Sequence, residues 1–311
     1  MSKPPLVLIV GPTAVGKTEF AIRLVERLQG EIVSADSRLF YRGMDIGTAK
    51  PTLKERARIP HHLIDVADPD ETWSLAVFQQ AAAKVISDVH VRGRLPFLVG
   101  GTGQYVRAVA EGWKPPEVQP NSRLRVVLES LANDKGIFWL HEGLAKIDPI
   151  SATKIDPRNV RRTIRALEVI LTTGRLFSEQ RGQSTSPYWL LTIGLKRPRT
   201  ELYKRIDERI ESMFAAGFLD EVKLLLERGY STDLPTMSAI GYRECIRIIK
   251  GKSSIEQAKV EMRRATRAFV RRQANWFKED DPSIHWFEAG QENAVNLVED
   301  FIRLHFGLGR S

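Results

Sequence analysis

Short apolar runs alternate with segments whose apolar residues recur at helical spacing along much of the chain. The runs LVLIV, EIVSADS and LPFLVGG are separated by the periodic segments EFAIRLVERL and SLAVFQQAAAKVISDV. Apolar strands that alternate with amphipathic helices predict a parallel sheet covered by helices on both faces, with ligands at the carboxyl ends of the strands. Gly11, Asp36 and the segment from Gly100 to Thr102 fall at those ends.

The alternation stops at WKPPEVQP, and the residues that follow, up to GQSTSP, show helical periodicity without a convincing strand. The strand pattern resumes at YWLLTIGL, long amphipathic helices then run to about residue 278, and HWFE is typical of a last short strand. The pattern therefore predicts an α/β core of residues 1–112 and 189–311, with an inserted all-helical subdomain of residues 113–188.

The stretch from Gly11 to Thr18, GPTAVGKT, matches the pattern G-x-x-x-x-G-K-[ST] between the first predicted strand and the first predicted helix. In such a loop backbone N–H groups close on phosphate oxygens, Lys17 supplies a positive charge and the Thr18 hydroxyl can bind Mg²⁺. The alternative is a fortuitous glycine-rich turn, but the flanking strand and helix both agree with a phosphate loop. We therefore predict a P-loop NTPase-like core and a phosphorylated ligand, which need not be ATP.

Asp36 follows the second predicted strand, where a carboxylate could act as a general base or could cap the next turn. A P-loop ATPase usually carries an Asp at the end of a further apolar strand to hold Mg²⁺, whereas PFLVGG ends in glycines. The loop is thus expected to bind phosphates without hydrolysing them. The adjoining GGTGQY offers Thr102 as a polar contact and Tyr105 for stacking on a base, or else forms a plain strand-to-helix turn.

Composition limits the kind of binding partner and the cellular compartment that we expect for this protein. The 311 residues are 42% hydrophobic and carry a net charge of +9 with a pI near 9.7, which is typical of a polyanionic partner or of a generally basic surface. Cys245 is the only cysteine, so a disulfide within the chain and a thiolate zinc site are both excluded. With no signal-peptide pattern and no apolar run of membrane-spanning length, we expect a soluble, cytoplasmic protein.

Part of the positive charge is concentrated in two segments of the sequence that are rich in Lys and Arg. In NVRRTIRALEVI, Arg161, Arg162 and Arg165 are spaced to line one side of a helix. Residues 241–278 carry eleven Lys or Arg against three Glu, with Trp276 near their end. Each run alone is typical of a solvated helix face, whereas the two together, with aromatic residues, favour nucleic-acid binding.

Two pairs of residues have more ordinary interpretations. Arg205 and Arg209 stand one helical turn apart and could hold a phosphate together, but the spacing favours ion pairs with acidic residues of the same helix. His61 and His62 lack the spacing of a metal site, which favours a structural or hydrogen-bonding role.

Seven segments of the chain form a specific set, GPTAVGKT, SADSRLFYRGMDIGTAKP, PHHLIDV, LVGGTGQY, RRTIRALEV, AIGYRE and RRQANWF. In these segments and their order the chain resembles the bacterial tRNA dimethylallyltransferases (isopentenyltransferases) nearly end to end. DIGTAKP and LVGGT are not general features of P-loop proteins, so the match is specific. The zinc finger of the eukaryotic members has no counterpart here, in keeping with the single cysteine.

This resemblance implies transfer of a dimethylallyl group from dimethylallyl diphosphate to the exocyclic N6 amine of the adenosine immediately 3′ of the anticodon. The implied substrates are tRNAs that read codons beginning with U, and pyrophosphate is released. The phosphate loop would hold this diphosphate leaving group with Mg²⁺ as cofactor. This agrees with PFLVGG, which lacks the Mg²⁺-binding Asp that a P-loop ATPase usually has at the end of such a strand. The expected partners are the tRNA anticodon stem-loop and dimethylallyl diphosphate, with no membrane, and the protein is expected to be a monomer.

The resemblance also implies roles for individual residues. Among the catalytic residues, Asp36 would accept the amine proton, Arg209 would steady the pyrophosphate and Thr18 would bind magnesium. Diphosphate contacts are implied at Gly11, Pro12, Thr13, Ala14, Val15, Gly16, Lys17 and Thr18. Contacts to tRNA are implied at Asp36, Ser37, Arg38, Leu39, Thr102, Arg123, Arg161, Arg162, Thr163, Ile164, Arg165, Ser238, Ala239, Ile240, Gly241, Tyr242, Arg243, Arg271, Arg272, Gln273, Trp276 and Lys278. Ser238 departs from the family, some members of which have Arg at this position.

Two other functions share parts of this pattern. A nucleoside or nucleotide kinase would combine a similar phosphate loop with an arginine-bearing helical lid, and it predicts phosphoryl transfer from ATP. A non-catalytic RNA-binding protein gated by a nucleotide is the second alternative, against which Asp36 and the GGT segment at the strand ends argue.

Overall fold

A computed structural model describes residues 3–116, 118, 120–180, 182–183 and 185–309. Within the predicted break between the domains, Glu117 and Gln119 lie outside the described residues, as does Ser184. The chain divides into two compact units. The first, Met1–Ala110 with Ser186–Ser311, is called the sheet unit below, and the second, Glu111–Thr185, is called the helical unit.

The strands of the described chain are β1 (Pro5–Val10), β2 (Glu31–Ser34), β3 (His61–His62), β4 (Pro96–Val99), β5 (Trp113–Lys114), β6 (Gly182–Gln183), β7 (Trp189–Lys196) and β8 (Ile284–Glu288). Six of them form one sheet in the order β3-β2-β4-β1-β7-β8. Every neighbouring pair in this sheet is parallel. The predicted parallel sheet, including the last short strand at HWFE, is therefore confirmed.

The helices of the described chain are α1 (Lys17–Arg27), α2 (Leu53–Arg58), α3 (Leu75–Val91), α4 (Gly103–Ala110), α5 (Ser122–Lys135), α6 (Ile137–Ile147), α7 (Pro149–Lys154), α8 (Val160–Thr173), α9 (Phe177–Gln180), α10 (Arg199–Ala215), α11 (Phe218–Glu227), α12 (Tyr242–Ile249), α13 (Ile255–Ala274) and α14 (Ala294–Phe306). None of them is long and apolar enough to cross a membrane.

The central strand β1 buries side chains on both faces of the sheet, because successive residues of a strand point to opposite sides. Leu8 belongs to a buried cluster that includes Phe78 of α3 and Ile206 of α10. Ile9 belongs to a second cluster, which includes Val298 of α14. Each such fully buried side chain contributes about 1.5–3 kcal/mol to folding. Helices thus cover both faces, and the predicted α/β architecture is confirmed.

Parallel pairing brings the carboxyl ends of β1, β2 and β4 to the same edge of the sheet. These strands end at Val10, Ser34 and Val99, immediately before the phosphate loop, Asp36 and the glycine pair. The topology therefore gathers the three segments that carry the predicted chemistry at one edge, where open α/β sheets bind ligands.

The helical unit has its own core, which includes Leu128, Leu144 and Leu167. It also contains the two-residue antiparallel pair of β5 and β6, where the sequence predicts no strand. Strands of two residues are too short to show alternation, and this pair joins segments that are distant along the chain. The expectation of an all-helical insertion is therefore wrong at this short pair.

Candidate active site

The phosphate loop connects β1 to α1 through backbone conformations that require glycine. Gly11 has φ of 147° and Gly16 has φ of 104°. A Cβ atom added to Gly11 would lie 2.5 Å from the Leu195 carbonyl oxygen, so a larger residue would collide with β7. The Lys17 ammonium group donates hydrogen bonds to the carbonyl oxygens of Gly11 (2.9 Å) and Pro12 (2.8 Å). These contacts hold the lysine over the loop beside the first turn of α1, where a helix N-terminus favours anions.

Two arginines support the phosphate loop. Arg205 Nε of α10 donates to the Ala14 carbonyl oxygen and Arg197 Nε donates to that of Val15, each at 2.8 Å. The expectation that Arg205 forms ion pairs with acidic residues of its own helix is therefore wrong. The nearby acid Asp207 is instead bound by Arg267 at 2.8 Å.

A glutamine from the basic helix α13 links two parts of the site. The Thr13 N–H donates to Gln273 Oε1 at 2.8 Å, and Gln273 Nε2 donates to the Gly101 carbonyl oxygen at 2.9 Å. Because only 5% of Gln273 is exposed and both ends of its amide are engaged, the expected tRNA contact at Gln273 is wrong. The Thr13 N–H is likewise committed to this glutamine rather than to a phosphate.

Asp36, Lys17 and Arg209 form the charged centre of the site. Removal of the Lys17 ammonium group from water lowers its pKa to about 8; the Asp36 carboxylate raises this pKa, and Arg209 lowers it. Burial also lowers the pKa of Arg209, against the opposing influence of Asp36. Arg209 Nη2 donates to the Thr48 carbonyl oxygen at 3.3 Å, so this arginine, like Arg205, does not pair within its helix as expected. One carboxylate and two cations thus act on one another at the edge of the sheet.

The turn after β2 orients Asp36. Its Oδ1 accepts a hydrogen bond from the Arg38 N–H at 3.0 Å, so the carboxylate does cap this turn. The Leu39 N–H donates to the Asp36 carbonyl oxygen at 3.1 Å, and Thr102 Oγ1 accepts from the Ser37 N–H at 3.3 Å. Thr102 and residues 36–39 therefore lie together.

The site offers oxygen ligands suited to Mg²⁺ but no preformed carboxylate cage. In the described part of the chain, no three His, Cys, Asp or Glu side chains are grouped so that they could hold a metal ion. Mg²⁺ is ordinarily bound through one or two protein oxygens, waters and substrate phosphates. Thr18, in the first turn of α1, supplies a hydroxyl of this kind. The residues present fit an ion that binds together with a diphosphate.

Several side chains of the sheet unit that were expected to contact RNA are buried instead. Tyr242 is fully buried and its hydroxyl donates to Glu221 at 2.7 Å, while Ala239 and Gly241 are also buried. The expectation of RNA contact by the side chains of Tyr242 and Ala239 is therefore wrong, because they pack in the protein core. The exposed members of the set are Ser238, Arg243, Arg271, Arg272 and Lys278. Ile240 and Trp276 are partly buried, and Gly103 packs directly on the Trp276 ring.

Acidic partners neutralise part of the basic run at 241–278. Arg263 pairs with Glu211, and Arg267 pairs with Asp207, both acids belonging to α10. The exposed Arg271 and Arg272 lie at the end of α13, and the Arg272 guanidinium lies 5.7 Å from the centre of the Phe269 ring. The positive surface of the run is therefore smaller than the sequence count indicates.

In the helical unit only part of the arginine cluster is exposed. Arg161 and Arg162 are exposed, as is Arg123. Arg165 Nη1 instead donates to the fully buried Glu168 at 2.6 Å, and its Nη2 donates to the Val118 carbonyl oxygen at 2.9 Å. The prediction that Arg165 shares one open face with its neighbours is therefore wrong.

Two adjacent side chains of the helical unit do not fit the expected RNA surface either. Thr163 and Ile164 are buried, with 1% and 3% of each residue exposed, and Ile164 belongs to the core of the unit. Contact of these two side chains with RNA is excluded by their burial. Of the expected RNA residues on α8, Arg161 and Arg162 present their side chains to solvent.

The remaining aromatic and histidine predictions have clear outcomes. Tyr105 stacks on Phe78 with 4.5 Å between ring centres, and its hydroxyl donates to the Trp73 carbonyl oxygen. Its expected role as a base-stacking platform is therefore wrong, because the ring is part of an internal aromatic cluster. His61 and His62 take part in hydrogen bonds to Ile59 and Glu31, as predicted.

Two residues that contribute to the site, Arg197 and Glu221, were missed at the sequence level, and Gln273 was expected at the RNA rather than at the phosphate loop. Arg197 reaches the Val15 carbonyl oxygen across 182 residues, and Gln273 reaches Thr13 across 260 residues. Glu221 accepts hydrogen bonds from the backbone that precedes Thr48. No local pattern marks Glu221 or Arg197, since an acid in the first turn of a helix and an arginine after a strand are both ordinary features.

The comparison with protein families decides the classification. The family model for IPP transferases matches residues 39–280. The chain belongs to this family. A tRNA dimethylallyltransferase from Roseiflexus sp. (strain RS-1) is 56% identical over 302 residues, covering 96% of this chain and 99% of that protein. One from Geobacter sulfurreducens is 44% identical over 290 residues, covering 92% of this chain and 93% of that protein.

Solved structures of IPP transferases agree with the fold. The tRNA isopentenylpyrophosphate transferase of Bacillus halodurans is 42% identical and superposes with a TM-score of 0.74, covering 98% of this chain and 97% of that one. A eukaryotic dimethylallyltransferase acting on tRNA is 27% identical with a TM-score of 0.80, covering 97% of this chain and 80% of that one. This IPP transferase is accordingly a prenyltransferase with a P-loop NTPase-like fold.

Proposed function

We propose that this chain transfers a dimethylallyl group from dimethylallyl diphosphate to the N6 amine of the adenosine immediately 3′ of the anticodon. The substrates are tRNAs that read codons beginning with U, the products are pyrophosphate and the N6-dimethylallyl adenosine, and the enzyme acts as a cytoplasmic monomer. The observation that carries the proposal is the meeting of a phosphate loop, the Asp36 carboxylate and the Arg209 guanidinium at one edge of the sheet. Membership of the IPP transferase family supports it.

The phosphate loop and two cations receive the leaving group. Backbone N–H groups of the loop and the N-terminus of α1 bind the diphosphate oxygens. Lys17 and Arg209 stabilise the charge that grows on pyrophosphate as the carbon–oxygen bond breaks. The Thr18 hydroxyl would help to hold Mg²⁺, which would supply further neutralisation of that charge.

Asp36 serves the nucleophile. The lone pair of the adenine amine is delocalised into the ring, so the amine must be positioned and must lose a proton as the new bond forms. The nitrogen bonds to the first carbon of the dimethylallyl group, the bond from that carbon to the diphosphate oxygen breaks, and the Asp36 carboxylate takes the proton. Since the Arg38 N–H holds Oδ1, we assign the proton transfer to Oδ2.

Recognition of tRNA uses exposed basic side chains on both units. The adenosine must leave its stack to reach the site, and Thr102 with residues 36–39 is proposed to contact it there. The anticodon arm is proposed to contact Arg123, Arg161 and Arg162, which are exposed on the helical unit. The adjoining RNA is proposed to contact α12, α13 and the segments beside them through the exposed residues Ser238, Arg243, Arg271, Arg272 and Lys278.

Nucleoside analysis tests the proposed reaction. The enzyme is incubated with dimethylallyl diphosphate, Mg²⁺ and an anticodon stem-loop that has adenosine 3′ of the anticodon, and the RNA is digested and analysed by mass spectrometry. A matched stem-loop with guanosine at that position is the control. Dimethylallyl adenosine from the first RNA alone is expected. Prenylation of both RNAs, or of neither, would contradict the proposed function.

A further inference from the structure

The carbonyl that holds Arg209 belongs to a loop without helix or strand structure. This loop, residues 44–50, is called the support loop below and lies between β2 and α2. Arg209 Nη2 donates to the Thr48 carbonyl oxygen at 3.3 Å. The Asp36 carboxylate attracts the Arg209 guanidinium, whereas the nearby charges of Lys17 and Arg205 repel it. These charges act without a fixed direction, so the hydrogen bond to the Thr48 carbonyl is the contact that sets the orientation of the guanidinium.

A single carboxylate on α11 organises the support loop. Glu221 Oε2 accepts hydrogen bonds from the N–H groups of Asp45 (2.9 Å) and Ile46 (2.6 Å). Its Oε1 accepts from the Gly47 N–H at 3.2 Å and from the Tyr242 hydroxyl at 2.7 Å. Hydrogen bonds to a charged acceptor are about twice as strong as neutral ones, and three successive amides on one carboxylate set the direction of the peptide groups that lead to Thr48.

Packing fixes the same loop from two further sides. A Cβ atom added to Gly47 would collide with the Phe218 ring and would lie 2.6 Å from Cε2 of the buried Tyr242, so the loop lies directly on α11 and α12. At its far end, the Lys50 ammonium group bonds to Asp65 at 2.6 Å and to the Tyr41 carbonyl oxygen at 2.8 Å. The Thr48 carbonyl is thus held between two anchored segments.

We propose that Glu221 is a positioning residue for the transfer reaction, acting through the support loop and the Thr48 carbonyl on the Arg209 guanidinium. This inference rests on the proposed function, in which Arg209 stabilises the departing pyrophosphate. The hydrogen bonds of Glu221 go to the support loop and to Tyr242, and not to the phosphate loop or to the general base Asp36. Its effect on the reaction therefore passes through Arg209.

Glu221→Gln tests the proposal with little change in volume. The amide oxygen can still accept from two N–H groups, but its NH₂ group then faces the donors of Gly47 and Tyr242. A misplacement of the order of 1 Å can cost about a hundredfold in rate. We expect the single-turnover rate of prenyl transfer to fall about ten- to a hundredfold, with unchanged tRNA affinity. Asp220→Asn is the matched control, because this exposed neighbour loses the same charge and pairs with Lys223 on the surface.

A double-mutant cycle separates positioning from general destabilisation. In an Arg209→Ala background, Glu221→Gln is expected to change the rate less than about twofold, because the group through which it acts is gone. Tyr242→Phe, which removes one donor and leaves the carboxylate, is expected to show a smaller loss with the same dependence on Arg209. It replaces Glu221→Gln in the cycle if thermal unfolding shows that Glu221→Gln does not fold.

The results distinguish this inference from the proposed function. A wild-type enzyme that forms no prenylated tRNA would overturn the proposed function itself. If the wild type is active, a Glu221→Gln rate loss that is as large in the Arg209→Ala background as in the wild type would overturn the role of Glu221. Equal rates for Glu221→Gln and Asp220→Asn would overturn it as well. A loss that disappears in the Arg209→Ala background supports it.

Discussion

Gln273 and Thr13 lie 260 positions apart in the sequence and are joined by a hydrogen bond of 2.8 Å from the Thr13 N–H to Gln273 Oε1. The other end of the same amide donates to the Gly101 carbonyl oxygen at 2.9 Å. A helix whose end carries the exposed Arg271 and Arg272 is thereby bonded to the phosphate loop and to the segment after β4.

We predict that Gln273→Met weakens binding of dimethylallyl diphosphate. The substitution keeps the approximate size of the side chain but leaves the part-buried Thr13 N–H and the buried Gly101 carbonyl without their partner. An unsatisfied buried group costs about 1–3 kcal/mol, and loss of both bonds releases the phosphate loop from α13. The dissociation constant of the diphosphate should therefore rise about tenfold or more, as measured by calorimetry. Gln291→Met, at an exposed glutamine, is the control. Equal affinities in the two variants would show that the glutamine does not shape the loop.

Asp36→Asn should abolish most of the activity while preserving the fold of the turn. The amide oxygen can still accept from the Arg38 N–H, but the side chain can no longer take a proton. General bases contribute about two to four orders of magnitude, so the single-turnover rate should fall by that amount with nearly unchanged tRNA affinity. Asp36→Ala should show the same loss. A rate near that of the wild type in either variant would remove Asp36 from the mechanism.

Removal of Arg161 and Arg162 should weaken tRNA binding and reduce its dependence on salt. Each lost phosphate contact lowers the slope of log affinity against log salt by about one unit, so the double alanine variant should lose about two. Diphosphate affinity should not change. The control is Arg199→Ala, which removes an exposed arginine outside the proposed RNA surface. An unchanged slope in the double variant would identify these arginines as a solvated face.

Arg165→Ala should behave differently from its two neighbours. It removes one of the arginines that bind the fully buried Glu168, which Arg125 also binds at 2.8 Å. Loss of one partner of a buried charged group costs about 1–3 kcal/mol. The expected result is a lower unfolding temperature with a salt slope like that of the wild type at temperatures where the variant is folded. A reduced slope without loss of stability would return Arg165 to the RNA surface.

The pKa of Lys17 predicts an alkaline limit for diphosphate binding. Burial lowers this pKa to about 8, so in the free enzyme Lys17 is charged below pH 8 and becomes neutral as the pH rises through that value. Affinity for the diphosphate should therefore fall above about pH 8, two units before an ordinary lysine would lose its charge. In Lys17→Arg the guanidinium stays charged, so the decline should disappear even if the affinity itself is lower. A flat profile to pH 10 in the wild type would contradict the prediction.

The sheet and the phosphate loop were predictable because their signals are local. Five successive apolar residues before Gly11 and the helical spacing after Thr18 fix a strand, a loop and a helix, and parallel pairing then places Asp36 at the same edge. Pairings across long separations were not predictable. Arg205 has acidic neighbours on its own helix, yet it bonds to Ala14, 191 positions away.

Burial within basic and aromatic segments was equally hidden. Tyr242 and Gln273 stand among arginines in the sequence, and only the packing of α11 to α13 shows that their side chains face inward. Exposed and buried residues at neighbouring helical positions differ by rotation about the helix axis, which short motifs do not specify.

The measurement that tests the central claim most directly is product formation in a reaction freed of nucleotides. Enzyme, tRNA, Mg²⁺ and dimethylallyl diphosphate are combined after enzymatic removal of ATP and GTP, and prenylated tRNA and ADP are both quantified with and without added ATP. If the phosphate loop holds the departing pyrophosphate, prenylated tRNA should form at the same rate in both reactions, with no release of ADP. Strict dependence on added ATP, or one ADP released for each turnover, would contradict the account and would favour phosphoryl transfer at this site.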